Sequence, residues 1–240
     1  MPYSLILFDI DGTMMKSGGA GMRAMEIVAH KMFGPDFQWD HADPAGGLDP
    51  IIFTQMVEQN GIKDPRKHEI EFRNRYISKL SEELTRNPEA VEVMPGIHEV
   101  LEILRNQYAQ HATLGLLTGN YTDAVPIKLD AIEIDTSWFQ ITAFGDEAPT
   151  RNKLAGLALE KHEHHFGHSI PPDRVIVIGD TPRDIACAQA NGCIAFAVAT
   201  GTHSMRQLRA ANADYVVEDL LDPTPLLELL DRFGIVDNHS

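Results

Sequence analysis

The chain has 240 residues, and its 35 Asp and Glu against 20 Lys and Arg give it a net charge of −15. A chain of this length buries roughly 70–75% of the surface of its unfolded form, so it needs no disulfide or metal ion in order to fold. Hydrophobic residues make up 43%, which excludes a disordered chain. The acid excess disfavours nucleic acid and anionic membranes as partners, because both require a cationic face.

Further features of the sequence bear on the cellular compartment in which the protein is expected. Cys187 and Cys193 match no common zinc spacing and fit a reducing environment. The apolar run at residues 5–8 follows no positively charged region and stops at Asp9, so no targeting segment is expected. No apolar stretch approaches the ~18 residues needed to cross a bilayer. We therefore expect a soluble cytoplasmic protein, either a monomer or a homodimer, of one large or two small domains.

In chain order, short apolar runs alternate with helical patterns. The runs are almost continuously apolar, which is typical of strands covered on both faces. Predicted strands span residues 3–8, 112–117, 139–144, 174–178, 193–198 and 215–217. Amphipathic patterns beginning at Gly96 and spanning 153–162 and 183–191 predict helices between them. This alternation predicts an α/β fold with a parallel central sheet and right-handed crossovers.

One region lacks predicted strands. Between about Lys16 and Val93, residues 23–32, 51–60 and 68–84 show helical patterns. We interpret this region as an all-helical insertion after the first strand. The predicted division is therefore a core of residues 1–15 with 93–240, and an inserted helical domain of residues 16–92.

The first strand leads directly into two acidic residues. Asp9 and Asp11 flank a single residue at the carboxyl end of a buried strand, where ligands of open α/β sheets bind. Like charges this close require a cation or a shared proton. Gly12 permits a turn and exposes its amide. A simple Asp-Gly-Thr turn is the alternative interpretation of this segment.

The fourth strand ends in a similar way, at Gly179-Asp180. Asp180 would lie beside Asp9 and Asp11 if the two strands are neighbours, and three oxygen ligands with waters suit Mg²⁺. The alternative is that Asp180 caps the next helix, which has Pro182 in its first turn. Asp184, one turn further on, could serve either purpose.

Two other strand ends carry groups suited to phosphate. Thr118, Gly119 and Asn120 follow the second strand, and a hydroxyl followed by a glycine amide suits a phosphate oxygen. After the third strand, either Arg151 or Lys153 could neutralise a transferring phosphoryl group. A single exposed base or a helix-capping threonine would be the structural alternative.

The order of these motifs resembles the haloacid dehalogenase-like hydrolase superfamily, in its phosphoglycolate-phosphatase-like branch. Asp9 to Thr13 match the family's D-x-D-G-T motif, Thr118 its second motif, and Gly179, Asp180 and Asp184 its G-D-x-x-x-D motif. The third motif departs from the usual Lys-Pro, since neither Arg151 nor Lys153 precedes proline. The resemblance implies a Rossmann-like three-layer sandwich with a central parallel sheet and an inserted all-α cap domain.

The resemblance also implies residue roles. Asp9 would attack phosphorus and form an aspartyl-phosphate, and Asp11 would act as general acid and then general base. Mg²⁺ would be held by the Asp9 carboxylate, the Asp11 backbone carbonyl and Asp180. Thr118, Gly119 and the base would hold phosphate oxygens, while Asp184 would orient Arg151 or Lys153 or complete the outer shell of the metal.

The presence of Asp11 favours phosphate esters, because dehalogenases and phosphonate-cleaving relatives of the family lack this residue. We expect a Mg²⁺-dependent phosphatase of a small phosphorylated metabolite. A beta-phosphoglucomutase-like phosphomutase remains an alternative, because it shares the core, the cap and the chemistry. A non-catalytic phosphate-binding module is the third possibility, although it would be expected to have lost Asp9, Asp11 or Asp180.

Three other segments have more than one interpretation. Asp49, in the loop that begins at Gly46, could reach over the site and select the substrate, or could cap the helix that follows. The glycine-rich residues 19–24 fit a dinucleotide fingerprint but do not follow a strand, so a hinge is preferred. The histidine-rich residues 162–168 contain metal-ligand types, and we interpret them as a solvated helix end.

Overall fold

The computed structural model describes residues 3–39 and 44–237. Residues 1–2 and 238–240 of the predicted core, and residues 40–43 of the predicted insertion, therefore lie outside the described residues. The strands are β1 (Ser4–Phe8), β2 (Met15–Lys16), β3 (Glu92–Val93), β4 (Ala112–Leu117), β5 (Ile141–Ala143), β6 (Val175–Gly179), β7 (Ile194–Val198) and β8 (Tyr215–Val217). The helices are α1 (Ala20–Phe33), α2 (Asp49–Gln59), α3 (Arg66–Arg86), α4 (Ile97–Gln107), α5 (Ala124–Asp130), α6 (Leu154–Phe166), α7 (Pro182–Gln189), α8 (Met205–Ala210) and α9 (Thr224–Asp237).

The main sheet is parallel and has six strands, in the order β5-β4-β1-β6-β7-β8. The sequence predicted all six strands. The strand β5 is shorter than the predicted range of residues 139–144, since it spans only Ile141–Ala143. The strand β1 lies between β4 and β6, so that Leu7 is paired with Gly115 on one side and Val177 on the other. The predicted α/β fold with a parallel sheet is confirmed.

Alternate residues of β1 face opposite sides of the sheet, which explains its continuous apolar run. Ile6 and Phe8 belong to a core that includes apolar residues of α4, α5 and α9. Leu5 and Leu7 belong to a second core, which includes residues of α6, α7 and α8. Helices therefore cover both faces of the sheet, and the result is a three-layer sandwich.

The helical insertion between β1 and α4 consists of α1, α2 and α3, with α1 packed along α3. Its interior is aromatic: the rings of Phe53 and Phe72 stack with centroids 4.2 Å apart, and Tyr76 stacks on Phe72. The Tyr76 ring also contacts the tilted ring of Tyr121 in the sheet domain, with centroids 6.0 Å apart. Apolar residues of the insertion therefore continue the core on one face of the sheet.

One small element in this region was not predicted. Strands β2 and β3 form an antiparallel ribbon in which Met15 pairs with Val93 and Lys16 with Glu92. Strands of two residues give no periodic signal, so the sequence could not reveal them. The ribbon joins the two ends of the insertion, at the predicted boundaries near residues 16 and 92. The domain limits themselves stay a prediction.

Within the described ranges, none of the helices combines the length and the apolarity that crossing a membrane would require.

Candidate active site

The carboxyl ends of β4, β1 and β6 meet below the helical insertion and form the base of a cavity of about 400 Å³. Parallel neighbouring strands place their carboxyl ends at one edge of the sheet, which brings distant parts of the chain together. The cavity is lined by residues from the three strand ends and from the insertion, among them Asp9, Asp11, Gly46, Asp49, Thr118, Lys128, Arg151 and Asp180.

The chain turns sharply after β1. The Asp9 amide still donates to the Ile178 carbonyl, and the Gly12 amide then donates to the Met15 carbonyl at 2.8 Å. Gly12 has φ +81°, and a Cβ at this position would lie 2.5 Å from Asp180 Oδ2. Only glycine satisfies both conditions, so the turn predicted from the Asp-Gly-Thr segment also makes room for the Asp180 carboxylate.

Three buried carboxyl groups cluster at this turn. Single oxygens of Asp9, Asp180 and Asp184 all lie within 4.8 Å of one another. Burial is the main cause that raises the pKa of Asp9 to about 6, and Arg151 offsets part of the effect. Burial, with the Asp184 and Asp9 charges, raises the pKa of Asp180 to about 8. The cluster therefore holds more negative charge than its surroundings neutralise.

This surplus of charge fits a divalent cation. The available donors are carboxylate oxygens, which Mg²⁺ prefers over nitrogen or sulfur. Asp180 is 3% exposed and Asp9 is equally buried. Asp180 Oδ1 accepts a hydrogen bond from the Thr13 hydroxyl at 3.1 Å, which orients the carboxylate. Asp9 and Asp180 are the residues that would hold such an ion.

Asp184 has a different set of partners. Its Oδ2 accepts hydrogen bonds from the Thr181 amide at 3.0 Å and the Thr181 hydroxyl at 2.7 Å. Its Oδ1 contacts the Arg151 guanidinium. Thr181, and not Asp180, is the N-cap of α7, and Asp184 completes a capping box with it. Both oxygens of Asp184 are therefore engaged, which suits the orientation of Arg151 better than direct coordination of a metal ion.

The two candidate bases occupy different environments. Arg151 is 7% exposed, and its Nη2 lies 3.0 Å from Asp9 Oδ2. Although burial opposes its charge, the Asp184 and Asp9 carboxylates raise the pKa of Arg151. Lys153 is exposed and does not line the cavity. The expectation that Lys153 could serve as the base is corrected: both residues lie in one 3-10 turn (Arg151–Lys153), and only Arg151 faces inward.

The segment after β4 lies beside Asp9. Thr118 is 1% exposed and lines the cavity with Gly119 and Asn120. Within the described part of the chain, no hydrogen bond uses the Gly119 amide, whereas the Gly119 carbonyl accepts from the Asp49 amide at 2.8 Å. The Gly119 amide is therefore available to an oxygen of a ligand, as a phosphate-binding loop requires.

Among the cavity residues that sequence reasoning did not single out is Lys128 on α5. Its side chain is 3% exposed, and its Nζ contacts Asp11 Oδ2 and donates to Asn120 Oδ1 at 3.0 Å. Burial would raise the pKa of Asp11, but the charge and hydrogen bond of Lys128 hold that pKa below its usual value. The helix α5 has only seven residues and was not predicted, so no pattern pointed to Lys128.

The insertion closes the cavity through the segment 44–49. The Gly46 carbonyl accepts from Arg151 Nη1 at 3.1 Å, and Asp49 Oδ2 accepts from the Tyr121 amide at 3.0 Å. Asp49 is 6% exposed, and its burial raises its pKa to about 7. Asp49 is the first residue of α2, whose N-cap is Leu48, so the interpretation of Asp49 as the N-cap is wrong by one position.

The remaining candidate segments lie elsewhere or have another role. Gly19 and Gly21 line the cavity at the start of α1, which follows the ribbon strand β2 and no strand of the main sheet. Across the described ranges, Asp9, Asp180 and Asp184 form the only group of three or more His, Cys, Asp or Glu side chains placed to share a metal ion. The histidines of residues 162–168 therefore form no such group.

Fold and site together define an α/β protein whose carboxylate-rich cavity lies at the carboxyl ends of parallel strands, beneath a helical insertion. A family model described as haloacid dehalogenase-like hydrolase matches residues 6–198, which include the carboxyl ends of β1, β4 and β6. The chain belongs to this family of enzymes.

Relatives of this chain are similar over most of their length. A phosphoglycolate phosphatase from Aliivibrio fischeri is 25% identical over 221 residues, which cover 90% of this chain and 92% of that protein. A hydrolase from Pseudomonas syringae has a similar structure, with a TM-score of 0.69, 21% identity and coverage of 94% of this chain and 98% of its own. A beta-phosphoglucomutase from Clostridium difficile also has a TM-score of 0.69, with 18% identity and coverage of 98% and 100%.

Proposed function

We propose that this enzyme is a Mg²⁺-dependent phosphatase that hydrolyses a small phosphorylated metabolite through an aspartyl-phosphate on Asp9. The observation that carries the proposal is the ion pair between Arg151 Nη2 and Asp9 Oδ2, 3.0 Å apart, beside the Asp180 carboxylate. A nucleophilic carboxylate, a fixed cation and a second carboxylate occupy one enclosed space. This arrangement suits phosphoryl transfer, where positioning and charge stabilisation supply most of the catalysis.

In the first half of the reaction, the Asp9 carboxylate attacks phosphorus and the bond from phosphorus to the leaving oxygen breaks. Arg151, the Thr118 hydroxyl and the Gly119 amide bind the phosphoryl oxygens, on which negative charge develops. Asp184 holds the Arg151 guanidinium in place, since Arg151 Nε lies 3.1 Å from Asp184 Oδ1. When bound at Asp9 and Asp180, Mg²⁺ supplies the positive charge that allows an anionic nucleophile and an anionic phosphate to approach each other.

Asp11 acts as the general acid and then as the general base. Its pKa lies below the usual value, so it is ionised in the free protein. A phosphate monoester has a second pKa near ~6, so part of the substrate arrives as a monoanion with a proton that Asp11 can pass to the leaving oxygen. In the second half, Asp11 takes a proton from the water that attacks the aspartyl-phosphate, and the bond from phosphorus to the Asp9 oxygen breaks. Phosphate is released, Asp9 is restored, and Asp11 gives its proton to the departing phosphate or to solvent.

The size of the cavity and its closure favour a small substrate. The volume is about 400 Å³, and segment 44–49 covers the phosphate end through Gly46 and Asp49. Sites of this size enclose one small metabolite. Phosphoglycolate, for which the Aliivibrio fischeri relative is named, is the first substrate to test.

The proposal is tested by phosphate release from phosphoglycolate, sugar phosphates and p-nitrophenyl phosphate, with and without Mg²⁺. We expect Mg²⁺-dependent turnover that Asp9→Asn abolishes. Asp173→Asn, a matched change at an exposed aspartate, is expected to retain full activity. Absence of turnover on the whole panel would contradict the proposal and favour a non-catalytic phosphate-binding module.

A phosphomutase would share the chemistry of Asp9 up to the second transfer. Product analysis with sugar 1-phosphates separates the two functions. Free phosphate indicates a phosphatase, whereas conversion to the 6-phosphate isomer indicates a mutase.

A further inference from the structure

Lys128 is buried although its side chain carries a positive charge. It is 3% exposed, whereas lysines are almost never fully buried unless they are paired. It lies on α5, behind the strand end that carries Thr118, Gly119 and Asn120. A buried ammonium requires charged or hydrogen-bonding partners, so the side chains around Nζ show what this residue does.

Lys128, Asn120 and Asp11 form a closed ring of hydrogen bonds. Lys128 Nζ contacts Asp11 Oδ2 and donates to Asn120 Oδ1 at 3.0 Å. Asn120 Nδ2 in turn donates to Asp11 Oδ2 at 2.9 Å. Each of the three side chains is therefore held by the other two.

The ammonium decides how the amide is oriented. An asparagine side chain can present either its oxygen or its nitrogen to a neighbour, but an ammonium donates only. Lys128 therefore draws Asn120 Oδ1 towards itself, which turns Asn120 Nδ2 towards Asp11. The ionised Asp11 carboxylate only accepts, so it favours the same orientation of the amide, and Lys128 reinforces it from the other side.

The ring binds one oxygen of Asp11 and leaves the other unbound. Both donors converge on Oδ2, and no hydrogen bond from a described residue reaches Oδ1. The Asp11 side chain is 43% exposed, so its unbound oxygen is accessible from the cavity that it lines. The carboxylate is fixed in one orientation, with a single oxygen available to a substrate.

We propose that Lys128 is a positioning residue for Asp11, which it holds together with Asn120 so that Oδ1 faces the leaving oxygen of the substrate. The inference rests on the proposed function, because it assumes that Asp11 moves protons. It assigns to Lys128 no direct contact with the substrate. Its effect is therefore transmitted through Asp11.

This positioning predicts dependence on the leaving group. An alkyl phosphate needs a proton on the departing oxygen, whereas p-nitrophenolate departs without one. Removal of a general acid typically costs 10²–10⁴-fold. Lys128→Met has a similar length but no charge, and we expect it to lower kcat for phosphoglycolate about 10²-fold with KM changed less than about threefold, since misplacement by ~1 Å costs this much.

The decisive measurement compares two single-turnover rates, for phosphoglycolate and for release of nitrophenolate from p-nitrophenyl phosphate. Lys128→Met should slow the first and leave the second within about threefold of wild type, the same pattern as Asp11→Asn. Lys63→Met, a change at an exposed lysine, should alter neither rate. If Lys128→Met does not fold, Asn120→Ala breaks the same ring and carries the same test.

Two outcomes would overturn the inference while leaving the proposed function intact. If Lys128→Met slows both rates equally, then Lys128 does not act through the proton on the leaving group. If it raises KM for phosphoglycolate with kcat unchanged, then Lys128 binds the substrate directly. Absence of all turnover in the wild-type protein is a separate result, which would overturn the proposed function and this inference with it.

Discussion

Arg151 Nη2 lies 3.0 Å from Asp9 Oδ2, and this ion pair joins the segment after β5 to the segment after β1. Both side chains are buried, so their interaction is screened less by water than that of a surface pair. The pair places a fixed cation where the oxygens of a phosphoryl group on Asp9 would lie.

Arg151→Met should therefore lower kcat by about 10²–10³-fold, the usual effect of removing one group that stabilises charge in the transition state. Lys153→Met, two residues away and exposed, should retain wild-type kcat and KM. Steady-state kinetics on phosphoglycolate with saturating Mg²⁺ check both variants. A larger loss from Lys153→Met than from Arg151→Met would contradict the geometry.

A second prediction concerns the charge on Asp180. Its pKa is raised to about 8 by burial and by the Asp184 and Asp9 charges. The ionised form is therefore unfavourable in the folded protein without a cation, and each pKa unit corresponds to about 1.4 kcal/mol. Asp180→Asn keeps an oxygen for the Thr13 hydroxyl but removes the charge.

We expect Asp180→Asn to be inactive, yet more stable than wild type without divalent ions, by at least about 1 kcal/mol. Thermal unfolding with and without MgCl₂ measures this. Mg²⁺ should raise the Tm of wild type, because an ion that binds only the folded state stabilises it, and should raise that of Asp180→Asn much less. An equal Mg²⁺ effect on both proteins would exclude Asp180 as a ligand.

A third prediction is a pH dependence that arises at Asp49. Burial raises the pKa of this carboxyl from 3.8 to about 7, against the opposing effects of Lys128 and the Tyr121 amide. Between these two pH values the folded state binds more protons than the unfolded state, so the contribution of Asp49 to stability falls as pH rises. Above pH 7 the buried carboxylate is ionised, and the full free-energy cost of burying its charge then lowers the stability of the folded state.

Asp49→Asn retains an oxygen that can accept from the Tyr121 amide and removes the titration. The variant should be more stable than wild type at pH 8, and this difference should shrink towards pH 5. Urea denaturation at the two pH values gives the difference in the free energy of unfolding. A pH-independent difference for Asp49→Asn would refute the assignment.

A fourth prediction tests closure by the insertion. A Cβ on Gly119 would lie 1.7 Å from the Gly47 carbonyl oxygen, so Gly119→Ala forces segment 44–49 away from the strand end. Catalysis that depends on this closure should lose about 10²-fold in kcat/KM. The Tm should also fall, because Leu48 of the displaced segment is buried in the second core of the sheet domain.

Gly34→Ala provides a control for the effect of lost stability on catalysis. Gly34 has φ +102°, and a Cβ at this position would meet no atom within 4 Å, so an alanine there is strained but displaces nothing. It should lower stability by ~1–3 kcal/mol and leave kcat/KM unchanged. If Gly119→Ala shows wild-type kcat/KM, then closure by segment 44–49 is not required for the reaction.

The sequence predicted the sheet and the acidic strand ends because those signals are local. Strand β1 is apolar on both faces, and Asp9 follows it directly in the chain. Once the strands are parallel, their carboxyl ends must share an edge, and adjacency of β1 to β6 then brings Asp9 and Asp180 together. The strand order that makes β1 and β6 neighbours is not contained in the residue pattern and is established by the structure.

Other parts of the site depend on directions that a sequence does not contain. Arg151 and Lys153 are two residues apart in a 3-10 turn, where two residues span two thirds of a revolution, so they point to different sides. Which one faces inward depends on how the turn packs against the sheet domain. Lys128 is recognisable only from its partners Asp11 and Asn120, which are brought to it by the tertiary fold.

The central claim is that Asp9 is the nucleophile, and its most direct test is Asp9→Asn assayed with p-nitrophenyl phosphate and Mg²⁺. We predict no turnover, together with a phosphoryl group on the Asp9 peptide of wild type quenched during the reaction and none on the variant. Retained turnover by a folded Asp9→Asn protein would contradict the account.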